Sequence, residues 1–410
     1  MSEINKRVAT DATLKEVADA LGVIAAAQAG SVREMTEKGI QQITRAGLAP
    51  KYFTIGEQLV AKWAQDDSYE YDYEQDIVAF HDVETALGET KPGLWLQSHW
   101  VLPAVQFDAA EAMMYAAQAV AAGTSFHFTT LSALNDVPAG TYQFTLAEGL
   151  PAGGQAMLAK SGTAWKIVTY SGPNSTEAIE TVDCAAGDGG IDLGDIQSMS
   201  NPLVCVGKKA SELPKDATVV VNYSSLTQYG YNRWSQSAIR QWLNSDAGVG
   251  AWWSAQNVFD RPPTQLATLR GFLTGLPADL LAIVQPVQVV TSMNTVTDGG
   301  GSEITYDRFF LPSLEQEYIA PQVKDVEGPC WPYWKQRLGL TSPQATGTGG
   351  VTAKHIRYAI DNHSSAQTVR LRSASRAYAS NAWTVGTSGY ANYYSNATNA
   401  RRPAPACVIC

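Results

Sequence analysis

Thirty residues near the carboxyl end, Ser373 to Arg402, are written in a reduced alphabet. They contain no Lys, Glu, Asp, Gln, Met, Leu, Ile, Phe or Pro, and only Trp383 and Val385 fall outside Ala, Ser, Tyr, Asn, Thr, Arg and Gly. Such a set does not build a core, because too few side chains supply the ~1.5–3 kcal/mol of a buried apolar group. It does build a contact surface. Tyr gives broad amphipathic area at low entropic cost, and Ser, Asn and Gly give adaptable hydrogen bonds, as in antibody paratopes. The expected anchors are Tyr378, Tyr390, Tyr393 and Tyr394, with Asn381, Asn392, Asn396 and Asn399 among them. Val369–Arg372 precedes the run and the apolar ending through Ala406-Cys407-Val408-Ile409 follows it, so two strands are expected to grip it.

Other residue types capable of chemistry lack the necessary pattern. Cys407-Val-Ile-Cys410 is a single CxxC, and zinc needs two further ligands, so buried apolar cysteine is expected. His81, His99, His127, His355 and His363 show no ligand spacing. Asp298-Gly-Gly-Gly301 is followed by no GK[ST] and reads as a turn. Glu315 and Glu317 are only two apart, and a glycosidase needs two carboxylates facing a cleft at a defined separation. No catalytic residue, metal or cofactor is therefore expected, and the chain is not expected to be an enzyme.

Charge divides the chain. From Val351 to Cys410 there are seven basic residues (Lys354, Arg357, Arg370, Arg372, Arg376, Arg401, Arg402) and one acid, Asp361, or +6. The whole chain carries −10, which leaves −16 for the remainder and argues against a nucleic-acid partner. The basic end could steer an acidic surface polymer, unless Arg370 and Arg372 are spent inside the fold.

The elements that must position the run are read from periodicity and turn residues across 410 positions, enough for two or three domains. Residues 1–48 predict helices: Leu14, Val17, Leu21 and Ile24 behind Asp11 make a coiled-coil stripe, and Met35, Ile40 and Ile43 mark a second helix. The stripe needs a partner, either its own chain or symmetry mates. Residues 49–202 alternate short apolar runs with Gly, Pro, Asn and Asp turns, predicting a β-sandwich-like spacer, with Asp108–Ala122 helical. Residues 203–410 predict a mixed α+β domain with helices at Ser235–Asn244 and Leu276–Val289, and strands at Phe309–Pro312 and Thr368–Arg372. No apolar run approaches the ~20 residues of a bilayer span and the start lacks a signal-peptide core, so no membrane insertion and synthesis in a cytoplasm are expected. Five scattered cysteines oppose a disulfide framework.

Except for Trp383, every residue type of the run can be written with a codon ending in a pyrimidine, the set reached when both adenines of an asparagine codon are randomised. RSASR (Arg372–Arg376), Trp383-Thr-Val385, Ser388-Gly389 and RPAPACVI (Arg402–Ile409), with varied positions between them, resemble the variable proteins of diversity-generating retroelements. NRWSQSAIRQWLNS (Asn232–Ser245), FDRPP (Phe259–Pro263), FFLPSLEQEY (Phe309–Tyr318), VATDATLKEVADAL (Val8–Leu21) and AFHDVET (Ala79–Thr85) resemble the same gut-phage group.

The resemblance implies a C-type lectin-like fold over 203–410 and a receptor-binding virion protein at a tail-fibre tip. It further implies a homo-oligomer, with a trimer favoured, and contacts to other virion proteins through the N-terminal region. The expected ligand is a bacterial surface protein or polysaccharide. The ligand-binding positions it implies are Ala377, Tyr378, Ala379, Ser380, Asn381, Thr384, Gly386, Thr387, Tyr390, Ala391, Asn392, Tyr393, Tyr394, Ser395, Asn396, Thr398, Asn399, Ala400 and Arg401. Trp383, Val385 and Arg402 read as framework. Calcium-dependent lectin loops of the EPN or QPD type and a WND strand are missing, so calcium is not expected. The rival reading is a capsid-decorating or other structural virion protein with no selected ligand.

Overall fold

The computed structural model describes residues 31–130, 140–161, 164–195, 210–213, 215–347 and 353–410. The coiled-coil stripe from Asp11 to Ile24 lies outside these residues. The second expected helix is present as Glu37–Arg45, where Thr36 caps the Gly39 amide at 3.2 Å. Ile40 and Ile43 are fully buried in the main core, so this helix docks on its own chain. Gln41 Nε2 and Arg45 Nε both donate to the Cys410 carbonyl, at 3.1 and 3.2 Å.

The fold is β-rich, with several small sheets. One five-stranded antiparallel sheet runs in the order Gln58–Ala64, Glu70–Phe80, Leu94–Ser98, Ala406–Ile409, Phe309–Phe310. The last strand of the chain thus lies between an early strand and a middle one. All four of its residues are buried, as a strand covered on both faces requires. The expected boundary at 202/203 is corrected by this pairing, because Leu94–Ser98 and Ala406–Ile409 share one ladder and one core. Helix Ala238–Leu243, capped by Ser237, adds Ile239, Trp242 and Leu243 to that core. Phe272 meets Trp63, Tyr73, Trp242 and Phe309 at ring separations of 5.0–5.9 Å.

Where a β-sandwich-like spacer is expected over 49–202, two sheets share a core over Met114 to Val221. A five-stranded and a four-stranded sheet there close over Met114, Phe126, Phe128, Phe144, Ile167 and Leu193. The helix expected over Asp108–Ala122 is corrected: Met114–Ala116 is a strand, paired with Val219–Val221 and with Gln155 and Ala156. Ladder hydrogen bonds and burial of Met113 and Met114 override the helical preference of an Ala- and Met-rich run. Leu276–Val289 is likewise helical only over Ala278–Ile283, and Val287 opens a strand. Among the described residues no helix is long and apolar enough to cross a membrane.

FDRPP is the clamp on this unit. Arg261 lies over the Tyr170 ring at 3.7 Å and donates to Gln155 Oε1, Gly172 O and Ser175 O at 3.0, 3.1 and 2.6 Å. Beside it, Asp108, Glu111 and Asp260 are fully buried where the chain enters and leaves the unit. Glu111 accepts from Asn222 Nδ2 and Asn257 Nδ2, at 2.7 and 2.9 Å. Burial raises Glu111 from its ordinary 4.5 to about 7; the Asn222 and Asn257 amides oppose the shift and the Asp298 charge adds to it. Asp108 and Asp260 are raised for the same leading reason, then by neighbouring carboxylates. A carboxyl raised in the folded state contributes stability that is complete below 4.5 and is lost as pH climbs through about 7. Glu111→Gln should therefore flatten the loss of stability across that interval, read by chemical denaturation at stepped pH. An unchanged slope would show that Glu111 does not titrate there.

Candidate recognition face

The reduced-alphabet run lies in a four-stranded sheet ordered Ala391–Asn396, Asn381–Val385, Val369–Ala374, Arg402–Pro403, its last pair parallel. Between the pairs Ala382↔Ser395 and Thr384↔Asn392 the register shifts, so Trp383 stands opposite two backbone positions, Tyr393 and Tyr394. That is a β-bulge, the usual device for re-aiming a strand. Trp383 and Val385 are buried with Val369, Leu371 and Ala404, as framework residues should be. Arg402 pairs with Asp361 at 3.4 Å. The turn between the outer strands closes through Gly386 N to Tyr390 O, with Gly389 at φ +82°, where any other residue is strained.

The backbone of the run is held by side chains outside it. Arg370 is fully buried, and its Nη1 donates to Ala382 O and Ser395 O at 3.2 and 2.9 Å. Its Nη2 donates to Asn396 O and Asn399 O, both at 2.9 Å. One guanidinium thereby ties four carbonyls, a use that its planar fork permits. Burial pulls this guanidinium down to about 9, with Arg401 as the second cause. Arg372, on the same strand and equally buried, reaches the other way to Thr291, Leu311, Gln316, Val290 and Glu327.

The loop from Ser375 to Asn381 has its own brace. Asn232 Nδ2 donates to Ser375 O, Tyr378 O and Asn381 O at 3.3, 2.6 and 2.8 Å, and Asn232 N donates to Ala379 O at 2.9 Å. Asn294 Nδ2 in turn donates to Asn232 Oδ1 at 3.1 Å and to Asp298 Oδ2 at 2.8 Å. Asp298 also accepts a short bond from the Tyr231 hydroxyl. The Asp298–Gly301 turn is thus a buttress of the run, a role its sequence did not disclose. Thr295 completes it by donating from N and Oγ1 to Arg376 O, at 2.9 and 2.8 Å. Asn232→Ala removes a donor shared by three carbonyls, and a loss of about 2–3 kcal/mol is expected in urea denaturation. Faster amide exchange should be confined to 375–381; a loss below ~0.5 kcal/mol would mean that the brace is dispensable.

The expected contact positions separate into three groups. Ala377, Tyr378, Thr387 and Ala400 are exposed, Tyr378 by 45%. Gly386, Tyr390, Asn392, Asn396, Thr398, Asn399 and Arg401 are half-buried. Ala379, Ser380, Asn381, Thr384, Ala391 and Ser395 are buried, which corrects their reading as outward contacts. The reason is local: Ala379 packs against Leu226 and Tyr231, Ala391 joins the Trp383 cluster, and Thr384 Oγ1 donates to Asn392 O at 3.0 Å. For Tyr393 and Tyr394 the backbone is described and the side chains lie outside the described set.

The basic patch is also corrected. Arg357, Arg370 and Arg372 are buried and Arg402 is ion-paired, so of the seven only Lys354, which is exposed, and Arg376 and Arg401, which are half-buried, remain. Cys407 and Cys410 are buried; Cys407 accepts from Gln75 Nε2 at 3.3 Å, and burial pushes its thiol up to about 12. Glu317 is buried and held by Gln97 Nε2 at 2.8 Å.

No curated protein and no solved structure matches the chain. Residues 215–409 match the family described as Domain of unknown function (DUF6273), a span that takes in the four-stranded sheet, Asn232, Asn294 and the terminal strand.

Proposed function

We propose that this chain is a variable protein of the diversity-generating retroelement type, with a C-type lectin-like C-terminal region, which recognises bacterial surface ligands from a phage tail-fibre tip. One observation carries the reading: the residues that hold the run and the residues that face solvent are different residues. Arg370 and Asn232 fix its backbone, whereas Ala377, Tyr378, Thr387 and Ala400 are exposed. A scaffold built so can exchange contact side chains without rebuilding its core. The pairing of Ala406–Ile409 with Leu94–Ser98, beside a second, mixed sheet bearing the run, supports the lectin-like layout. Recognition in this reading is non-covalent, with Tyr378 as anchor and the half-buried Asn392, Asn396 and Asn399 as hydrogen-bonding rim. Several copies on one fibre would convert modest affinity per site into avidity.

Binding of the labelled chain to a panel of bacterial strains tests this. Tyr378→Ala is expected to lower binding at least about tenfold, the effect of losing an aromatic anchor, with an unchanged melting temperature. Equal binding by the variant, or no strain bound at all, would favour the structural-protein reading.

A further inference from the structure

A cleft of about 610 Å³ opens on the segment from Glu315 to Cys330, away from the contact positions of the reduced-alphabet run. Its size falls within the ~300–1,000 Å³ of small-molecule sites. Tyr318, Ile319, Pro329 and Pro343 give it apolar walls, and Glu315, Lys324, Asp325 and Cys330 supply its polar groups.

Two features mark it as built for occupancy. Among the described residues only Tyr318, Asp325 and His363 adopt positive φ without being glycine, at 57°, 59° and 55°, and the first two line this one cleft. Asp325 is of a type that adopts this conformation readily, but Tyr318 is bulky and buried, and held there it stores strain of about 1–3 kcal/mol, which persists only where the surroundings enforce it and which concentrates at ligand sites. The second feature is a carboxylate with half its hydrogen bonding unmade. Glu315 Oε1 accepts from the Asp325 amide at 2.9 Å, while Oε2 is buried and has no hydrogen-bond partner among the described residues. The end of a glutamate turns on a soft torsion, so a donor entering the cleft can take up that oxygen. An unsatisfied buried carboxylate oxygen is costly, and an ionised donor satisfies it best.

We propose that this cleft binds a primary ammonium group carried on an apolar stem, either a free alkylamine or the lysine side chain of a polypeptide. The ammonium bonds to Glu315, the stem lies along Tyr318, Ile319 and the prolines, and Asp325 adds a second negative charge. Lys324 at the exposed rim opposes the cation and so limits affinity. The site is independent of the recognition face: it uses none of the nineteen expected contact positions. It does share a wall with the framework beneath that face, since Ile319 lines the cleft and packs in the same buried cluster as Trp383.

Cys330 provides the readout, because its half-buried thiol lines the cleft. The full chain is titrated with n-hexylamine and with 1-hexanol while alkylation of Cys330 is followed by mass spectrometry at mildly alkaline pH. Hexylamine is expected to protect Cys330 at concentrations at least about tenfold below those needed for hexanol, the worth of one charge-assisted hydrogen bond. Glu315→Gln keeps an acceptor for the Asp325 amide and should abolish that preference; Lys324→Glu, at an exposed position, should strengthen amine protection several-fold. A doubly capped lysine peptide, run beside an uncapped peptide without lysine, separates the two sources: protection by the first alone assigns a lysine side chain, and protection by both assigns any ammonium. No protection by hexylamine, equal protection by hexanol, or Glu315→Gln and Lys324→Glu both matching the parent chain overturns the proposal.

Discussion

Arg370→Leu is expected to cost about 4 kcal/mol or more and to unravel the C-terminal sheet, although the change removes a charge from an apolar setting. The buried guanidinium makes no ion pair among the described residues; its four bonds go to the carbonyls of Ala382, Ser395, Asn396 and Asn399. Leucine relieves the desolvation that pulls Arg370 down to about 9, yet strands four acceptors, those of Ala382 and Ser395 in buried bonds, at ~1–3 kcal/mol each where water cannot replace the guanidinium. Lysine should recover less than half of the loss, since a compact ammonium cannot span four acceptors arranged around a planar fork. Equilibrium denaturation measures the cost, and near-ultraviolet circular dichroism should report loss of the fixed environment of Trp383. A leucine variant as stable as the parent would mean that the run holds itself.

The second large effect is a contrast within the run. Ala391→Tyr is expected to destabilise the protein by ~3 kcal/mol or to abolish folding, because Ala391 is fully buried against the Trp383 cluster and has no room for a ring. Ala377→Tyr, fourteen positions earlier and exposed, should change stability by no more than ~0.5 kcal/mol. Both are alanines in one biased segment, and sequence alone does not tell them apart. Thermal melts of the pair read the difference directly. Equal tolerance would remove the distinction between held and displayed residues.

That contrast also shows where sequence reading ends. The run stood out because its alphabet cannot fill a core, and the apolar ending marked a buried strand, which the central position of Ala406–Ile409 in its sheet explains. Framework roles for Trp383 and Val385 were legible for the same reason: they are the only large apolar groups in the run. Burial of Ala379, Ser380 and Thr384 was not legible, since small and hydroxylated residues suit either side of a bulged strand and the register shifts beside Trp383 hide the alternation. The net charge of the last sixty residues misled because composition does not distinguish a surface arginine from one that braces carbonyls. Asn232 and Asp298 carry no signal of their own; the role of Asn232 arises from contacts 62 to 149 residues away along the chain, and Asp298 is tied to it through Asn294 and to Tyr231, 67 residues away. Nor could local pattern reveal that Leu94–Ser98 and Ala406–Ile409 are neighbours, because nothing in either strand encodes its partner.

Sequencing this gene in many close relatives, which the proposed function takes to be phages, bears most directly on the central claim. The account predicts substitutions clustered between Ala377 and Arg401, with free change of size at Ala377, Tyr378, Thr387 and Ala400. It also predicts only small residues at Ala379 and Ala391, and no change at Asn232, Arg370, Arg372 or Trp383. Substitutions spread evenly along the chain, or an invariant run, would contradict it.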